Sequence, residues 1–298
     1  MNEHAGRDHG STMNIPVTVV IPVKNEEQNL PSCLDRLSRF AEVIVVDSAS
    51  ADDTPDIVRR FGARLLQFEW SGGYPKKRNW VLLTQKLSTK WVLFLDADEL
   101  VNEDFCKEVD AAILSGHHAG FWLNYKNHFL DRTLNYGVPQ KKLALFTVGS
   151  GLYERIDEKS WSPLDMEIHE HPIIAGSIGE IAAPLDHRDY RGIQKFLDRH
   201  REYAVWEANR LLLFERERAS GSTSLTHRQQ VKYANIESWW FPWIYFTYTY
   251  ILKLGFLDGA AGFHYAFYKA WYFSTIRLMV KELRQKPAQV SLSRAPSA

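Results

Sequence analysis

Four short apolar runs, each followed by polar residues and a pattern of helical spacing, constrain the fold of this chain more than any other feature. The runs span residues 17–21, 42–46, 64–68 and 91–95. The fourth, Trp91 to Leu95, has no polar alternation, which is typical of a buried parallel strand that helices cover on both faces. Strands that alternate with helices at this interval indicate right-handed βαβ units. We therefore predict an α/β protein with a mostly parallel, mixed sheet.

Polar residues follow each run, and parallel strands would bring them into one crevice at their carboxyl ends. They are Pro22 to Glu26, Asp47 and Ser48, Lys76 to Asn79, and Asp96 to Glu99. This set offers acceptors for a base or ribose, cations for a diphosphate and carboxylates for a divalent metal. The crevice is equipped for a nucleoside diphosphate sugar. Two Asp separated by one residue are also common in solvated loops, with Asp98 or Asn102 as an ordinary helix N-cap.

Three of these segments resemble the signature blocks of family 2 inverting glycosyltransferases, which have the GT-A fold. The blocks are Val19 to Glu26 (VVIPVKNE), Val45 to Thr54 (VVDSASADDT) and Leu93 to Glu99 (LFLDADE). The resemblance covers roughly residues 15 to 187. Gly73-Tyr74 before Lys77-Arg78-Asn79, and KLGFLDG at 253–259, are similar to bacterial lipopolysaccharide-core and exopolysaccharide glycosyltransferases.

The resemblance implies roles for individual residues. Those expected to bind the nucleotide sugar are Pro22, Asn25, Glu26, Asp47, Lys77, Asn79 and Asp96. Asp98 is the expected first ligand of Mg2+ or Mn2+, which would stabilise the departing diphosphate. From the residues alone, the run 76–78 either approaches the diphosphate or forms a solvated helix start.

An inverting transfer also needs a carboxylate that takes the proton of the acceptor hydroxyl. Many family members supply it from a Glu-Asp pair that this chain lacks, and His169-Glu170-His171 stands in a comparable place. We predict Glu170 as the base, with His169 or His171 completing the metal shell. On a strand the two imidazoles would face away from Glu170, so these roles converge only in a loop. The alternative bases are Asp131, Asp157 and Asp186, while His187 and Arg188 either contact phosphate or begin a helix.

The second part of the chain is predicted to be helical and rich in aromatic residues. Apolar residues recur three and four apart from Asp189 to about Ala219, and Ser220 to Thr226 is the clearest linker. Ser238 to Leu252 has no charge but is too short and too polar for a membrane span. Its Trp and Tyr favour the headgroup level, and residues 253–298 carry seven Lys or Arg against two acids. These features indicate peripheral contact with an anionic membrane face. The alternative is a helical hairpin packed on the catalytic domain.

Composition narrows the classes of function and the cellular compartment that remain open. The chain has 36 Lys and Arg and 36 Asp and Glu, so nothing favours nucleic-acid binding. Cys33 and Cys106 lack metal spacing and suggest a reducing compartment. Residues 1–14 lack the apolar core of a signal peptide.

The sequence features together predict the domain organisation. We expect a disordered segment 1–14, a GT-A domain 15–188 and a helical, membrane-proximal extension 189–298. We expect the protein in the cytoplasm at the inner face of the cytoplasmic membrane.

The resulting hypothesis is an inverting glycosyltransferase that moves a sugar, expected to be UDP-linked, onto a lipid-linked saccharide or lipopolysaccharide core in cell-envelope polysaccharide biosynthesis. One rival is a nucleotidyltransferase, but the chain lacks the Gly-rich basic loop expected after the first strand of that class. The other rival is a non-catalytic nucleotide- or sugar-binding partner of a membrane complex. Full cellular function of an Asp98→Ala protein would favour that second rival.

Overall fold

The computed structural model describes residues 14–158, 160–162, 164–167, 170–188, 192–220 and 227–285, without the side chains of residues 227–229 and 231. The predictions for residues 1–13, His169, 189–191, 221–226 and 286–298 lie outside the described residues. By internal packing the chain divides into two compact units. The first comprises Met1–His128 and Pro139–Asp189, and the second comprises Phe129–Val138 and Tyr190–Ala298.

The strands are β1 Ile15–Val23, β2 Phe40–Asp47, β3 Arg64–Gln67, β4 Trp91–Phe94, β5 Glu99–Leu100, β6 Gly120–Phe129, β7 Arg132–Leu134, β8 Lys141–Thr147, β9 Gly151–Tyr153, β10 Pro172–Ile174 and β11 Ile178–His187. The α-helices are α1 Leu30–Leu34, α2 Thr54–Arg60, α3 Lys77–Thr84, α4 Glu103–Ser115, α5 Ile193–Ala219, α6 His227–Asn235, α7 Phe241–Thr247 and α8 Gly259–Gln285. A π-helical turn, Tyr248–Leu252, and a 3-10 turn, Gly255–Asp258, join α7 to α8.

A mixed sheet in the order β3-β2-β1-β4-β8-β6-β11-β5 organises the first unit. The strands β3, β2, β1 and β4 are parallel to one another. β8 runs antiparallel to β4 and β6, β11 is parallel to β6, and β5 is antiparallel to β11. The predicted mixed, mostly parallel α/β sheet is confirmed, and so is the helical, aromatic-rich part that follows it.

Burial explains why the parallel half forms where the apolar runs predict it. All four residues of β4 are buried, and so is every residue of β1 except Pro16. Both strands contribute to the main hydrophobic core, in which Val19, Leu93 and Phe94 are fully buried. A strand that is buried on both faces gains nothing from alternating polar residues.

The start of α4 decides between the two helix caps that the sequence allowed. Asn102 is the N-cap, and its Oδ1 accepts a hydrogen bond from the backbone N–H of Phe105 at 2.8 Å. The helix ends at Gly116 with φ 67°, a left-handed conformation that glycine adopts without a steric penalty. Asp98 therefore does not cap this helix but lies before it, close to the strand ends.

The second unit contains two long helices. α5 and α8, each of 27 residues, pack together around a cluster that includes Leu211, Ile276 and Val280. The segment 129–138, which we assigned to the first domain from its strand-like pattern, belongs to this unit because the ring of Phe129 packs against Phe196 at 5.0 Å. Among the helices of the described residues, none combines the length and the apolarity that crossing a membrane requires.

Candidate active site

The carboxyl ends of β1, β2 and β4 lie side by side because these strands are parallel neighbours in the sheet. The register pairs Val23, the last residue of β1, with Asp47, the last residue of β2. Asp96 and Asp98 follow β4 at the same edge. The structure therefore brings together the strand ends that we predicted to share a crevice.

Hydrogen bonds brace the loops after β1 and β2 against each other. Asp47 is fully buried at the end of β2 and accepts hydrogen bonds from Ser50 N at 3.1 Å and Gln67 Nε2 at 3.2 Å. Asn25 has a left-handed φ of 55°, and its Oδ1 accepts from Ala51 N at 2.9 Å. The backbone strain at Asn25 is thereby held by a side-chain contact to the neighbouring loop. The predicted nucleoside-binding residues form one braced wall.

Pro22 and Glu26 flank this wall. Pro22 is buried within β1. Glu26 is tied to α2, since its N–H donates to Thr54 Oγ1 at 2.9 Å, and its Oε2 accepts from Asn29 Nδ2 at 2.6 Å. The loop after β1 is therefore fixed at both of its ends.

Lys77 is a buried cation at the start of α3. Its Nζ donates to the Val23 carbonyl oxygen at 3.0 Å and lies 3.5 Å from Asp165 Oδ2. Burial lowers the pKa of Lys77, and Asp165 partly offsets that effect. Asp165 also accepts a hydrogen bond from the Ser48 hydroxyl. The run 76–78 is buried, so the alternative of a solvated helix start is wrong.

Glu167 holds the first turn of α3. Its carboxylate accepts the N–H of Arg78 at 2.8 Å and the N–H of Asn79 at 3.0 Å, at the positive end of the helix dipole. Asn79 is 1% exposed and bonds the backbone of Tyr153 twice, at 2.9 and 3.0 Å. The structure thus places the predicted donor residue Asn79 in a contact between α3 and β9.

Two cations hold Asp96. Arg78 Nη2 lies 2.7 Å from Oδ1, and Lys142 Nζ lies 2.8 Å from Oδ2. Lys142 also lies 3.0 Å from Oε1 of the buried Glu99, which accepts from Tyr125 OH at 2.7 Å. Burial alone would raise the pKa of Asp96, but Lys142 and Arg78 hold it well below its usual range. Both oxygens of Asp96 are thus engaged by cations.

Asp98 lies beside a histidine. Its Oδ1 is 3.8 Å from His187 Nε2, and the Nδ1 of that ring is 3.1 Å from Asn127 Oδ1. A carboxylate oxygen and an imidazole nitrogen are suitable ligands for Mn2+, and both groups are less than one-fifth exposed. Among the described residues, no group of three or more His, Cys, Asp or Glu is arranged to hold a metal ion. A cation here would therefore need further oxygens from a substrate, as Mg2+ commonly does.

The two histidines predicted to complete the metal shell are His169 and His171. His169 lies outside the described residues. His171 is exposed, and its carbonyl oxygen accepts from Glu154 N at 3.0 Å. Glu170 and His171 precede β10 and so do not lie on a strand.

Glu170, the predicted base, is 4% exposed and lies 2.8 Å from Lys76 Nζ. The same ammonium contacts the carboxylate of Glu158, which is also buried. The Lys76 ammonium is thus a counter-ion shared by two buried carboxylates.

Sequence reasoning missed Lys142, Asp165 and Glu167 as site residues and left the role of His187 open. Each lies far along the chain from the residue that it contacts, such as 89 residues between Arg78 and Glu167. One sequence signal was available for Lys142. Three carboxylates close together, Asp96, Asp98 and Glu99, indicate that a cation lies nearby.

Comparison with known proteins gives a family match. The family model described as Glycosyl transferase family 2 matches residues 18–166, which is half of the chain. The lipopolysaccharide core biosynthesis glycosyltransferase LpsC of Rhizobium meliloti (strain 1021) is 24% identical over 176 residues, covering 55% of this chain and 60% of LpsC. The poly(ribitol-phosphate) beta-N-acetylglucosaminyltransferase TarS of Staphylococcus aureus (strain Mu50 / ATCC 700699) is 32% identical over 133 residues, covering 41% of this chain and 22% of TarS.

Among solved structures, that of S. aureus TarS 1-349 aligns with 92% of both chains at 17% identity, with a TM-score of 0.41. The match covers less than two thirds of the length of the curated relatives LpsC and TarS.

Proposed function

This chain belongs to glycosyl transferase family 2 and is a glycosyltransferase, and on that premise we propose that it transfers a sugar from a UDP-linked donor to a lipid-linked saccharide or a lipopolysaccharide core. The transfer inverts the anomeric carbon and serves cell-envelope polysaccharide biosynthesis. The names of two relatives support a polymeric or lipid-linked acceptor, since LpsC is named for lipopolysaccharide core biosynthesis and TarS for poly(ribitol-phosphate).

The observation that carries the proposal is the pairing of Asp98 with His187, 3.8 Å apart, at the edge of the sheet where Asp47 and Lys77 also lie. An acceptor carboxylate for the nucleoside, a cation and two metal ligands are the groups that a nucleoside diphosphate sugar requires. A dinucleotide- or triphosphate-binding site would instead need a Gly-rich turn after β1, where this chain has Lys24-Asn25-Glu26.

The placement of the strand ends supports the donor contacts that we propose. Asp47 and Asn25 receive the nucleoside, with Pro22 and Glu26 shaping the pocket wall. Lys77 is the cation that we propose for the diphosphate, and its ammonium now contacts the Val23 carbonyl oxygen and Asp165. Asp96 and Asn79 complete the donor set: Asp96 holds Arg78, and the Asn79 side chain ties α3 to Tyr153 of β9.

A bound Mg2+ or Mn2+ ion would supply positive charge that stabilises the departing diphosphate. Asp98 and His187 would hold it, with phosphate oxygens in the remaining positions. His187 thereby fills the imidazole position that the sequence assigned to His169 or His171. Asp96 keeps both of its oxygens on Arg78 and Lys142 and orients the loop that carries Asp98.

Glu170 is the proposed base. As the acceptor hydroxyl oxygen attacks the anomeric carbon on the face opposite the leaving diphosphate, its proton passes to this carboxylate. The Glu170 carboxylate lies 2.8 Å from the Lys76 ammonium, which fixes its position.

The acceptor class places the enzyme at a membrane. We propose that it works in the cytoplasm at the inner face of the cytoplasmic membrane and contacts that membrane peripherally through its C-terminal helical extension. No nucleic-acid partner is part of this proposal, because the positive and negative charges of the chain balance.

Thermal unfolding with UDP, GDP, dTDP or CMP, each with and without Mn2+, tests the donor site. A ligand at a hundred times its Kd stabilises the native state by about 2.7 kcal/mol, which is a shift of several degrees. We expect a Mn2+-dependent shift with UDP that Asp98→Ala and His187→Ala both lose. The control Asp110→Ala, which removes a carboxylate from α4, should keep it. A full shift in Asp98→Ala, or none with any nucleotide in the unsubstituted protein, would contradict the proposal.

A further inference from the structure

One short region of the second unit carries a disproportionate share of the exposed apolar surface. Among the described residues, 24 large hydrophobic side chains are exposed, and twelve of them lie between Trp239 and Phe267. This region, which we call the aromatic hairpin, is 29 of the 298 residues. Scattered apolar side chains are normal on a protein surface, but such concentration marks an interaction site.

The aromatic hairpin has two different faces. Trp240, Ile244, Tyr248 and Leu252 are spaced by four along α7 and the π-helical turn, and all four are exposed. On the inner side, the ring of Tyr245 packs against Phe273 of α8 at 4.7 Å. The exposed stripe is therefore not a poorly packed core, because the core-facing side of the same helix already has its partners.

The turn that presents this stripe is tightly built. A Cβ atom at Gly262 would lie 2.0 Å from the carbonyl oxygen of Gly255, so the 3-10 turn and α8 approach as closely as backbones can. The Asp258 carboxylate accepts the N–H groups of Asn135 at 3.1 Å and Tyr136 at 3.0 Å. The apolar side chains are thus displayed on a fixed scaffold, which limits the side chains' freedom to collapse away from water.

The charges identify what kind of partner fits. Lys253 and Asp258 are the only charged residues from Ser238 to Tyr268, and the Asp258 carboxylate is engaged by the backbone of residues 135 and 136. The one exposed charge on the aromatic hairpin is therefore positive. Trp and Tyr join an apolar ring to a single polar atom, a combination that prefers the boundary between headgroups and acyl chains. A specific interface with a second protein chain usually has a rim with several charged groups, whereas the aromatic hairpin exposes one charge, Lys253.

The geometry points to the aromatic hairpin as a membrane-inserting surface. Its large apolar side chains that are more than half exposed enter the interface of a lipid bilayer: Trp239, Trp243, Ile244, Ile251, Leu252 and Leu257. This inference deepens the proposed function by naming the residues that hold the enzyme at its acceptor's membrane. Apolar insertion dominates, and Lys253 adds a modest preference for anionic lipid.

Co-sedimentation of the full chain with vesicles of phosphatidylethanolamine and phosphatidylglycerol tests the inference. Burial of one Leu or Trp side chain is worth roughly tenfold or more in a partition constant. We expect Trp243→Ser/Leu252→Ser to lower vesicle binding about a hundredfold. The matched control, Phe61→Ser/Leu114→Ser, removes two side chains of the first unit that are 45% and 73% exposed and should bind vesicles normally.

Two further measurements keep the result unambiguous. Raising NaCl from about 0.1 to about 0.5 M should weaken binding at most about fivefold, since the aromatic hairpin itself exposes only one charge, Lys253. The Mn2+-dependent stabilisation by UDP should be the same in both double variants, so a failed donor site is distinguished from a failed membrane surface. Equal vesicle binding by both double variants, or no binding by the unsubstituted protein, would overturn the inference. So would a dimer in sedimentation velocity that the Trp243→Ser/Leu252→Ser variant alone abolishes.

Discussion

Replacement of Lys142 by Met removes the cation that lies 2.8 Å from Asp96 and 3.0 Å from Glu99. Removing one partner of a buried ion pair costs about 3–5 kcal/mol, because the other charge stays buried without compensation. Glu99 is only 2% exposed, whereas Asp96 is 35% exposed and keeps Arg78. We therefore expect Lys142→Met to lower the free energy of unfolding by about 3 kcal/mol, the low end of that range. The melting temperature should fall by roughly 6–12 °C.

The adjacent lysine supplies a matched control. Lys141 forms an ion pair with Glu180 at 2.6 Å, but those side chains are 33% and 47% exposed. An exposed pair contributes less than about 1 kcal/mol, so Lys141→Met should be almost neutral. Urea and thermal unfolding of both variants measure the difference. If Lys142→Met costs no more than Lys141→Met, the ion cluster does not stabilise the site as we argue.

The loss of unfolding free energy in Lys142→Met should change with pH in a direction that the two carboxylates set. The pKa of Asp96 is depressed in the folded protein, so its contribution to stability is present above the unfolded pKa of about 3.9 and is lost as pH falls. Burial raises the pKa of Glu99 despite Lys142, so its ionisation lowers stability as pH rises, and more so without Lys142. Both carboxylates make the cost of Lys142→Met largest at neutral pH and smaller below about pH 4. A cost that grows towards acid pH would refute this reasoning.

Two further perturbations test the packing. Gly-to-Ala changes within helices usually stabilise by up to about 1 kcal/mol, but Gly262→Ala should destabilise by about 2 kcal/mol or more in urea unfolding, because its Cβ would lie 2.0 Å from the Gly255 carbonyl oxygen. Gly73→Ala, whose Cβ meets nothing within 4 Å, should be neutral, and equal effects would contradict the account. Burial raises the pKa of Cys106 to about 11 and that of Cys33 further, so a thiol-specific reagent at about pH 8 should label neither in the native protein and both after unfolding. Rapid native labelling of either thiol would show that its burial is wrong.

The parallel half of the sheet could be predicted because each of its strands is specified by a short, continuous stretch of sequence. Buried runs such as Trp91 to Phe94 are read directly from the sequence, and the polar residues that follow them share one edge by the geometry of parallel strands. The N-cap Asn102 is equally local, since the cap and the N–H that it binds are three residues apart.

The electrostatic partners within the site could not be predicted because they depend on long-range register. Lys142 reaches Asp96 only because β8 runs antiparallel to β4. His187 reaches Asp98 because β11 pairs with β5, which sets His187 opposite Glu99. No periodicity in the sequence specifies either pairing.

The sequence did not indicate that residues 129–138 belong to the second unit, for a related reason. Their strand pattern suggested the first domain, but the aromatic ring of Phe129 packs with the helices of the second unit. Alternating apolar residues predict that a segment has a buried face without specifying what buries that face.

The most direct test of the account is the reaction itself. UDP release from a panel of α-linked UDP-sugars, with Mn2+ and truncated lipopolysaccharide as acceptor, should depend on the acceptor for at least one sugar. NMR of the product should show a β linkage, since an inverting enzyme exchanges the anomeric configuration in one displacement. Glu170→Gln should abolish this release while UDP and Mn2+ still stabilise the variant. An α-linked product, or stabilisation by UDP with no release from any sugar in the panel, would contradict the central claim.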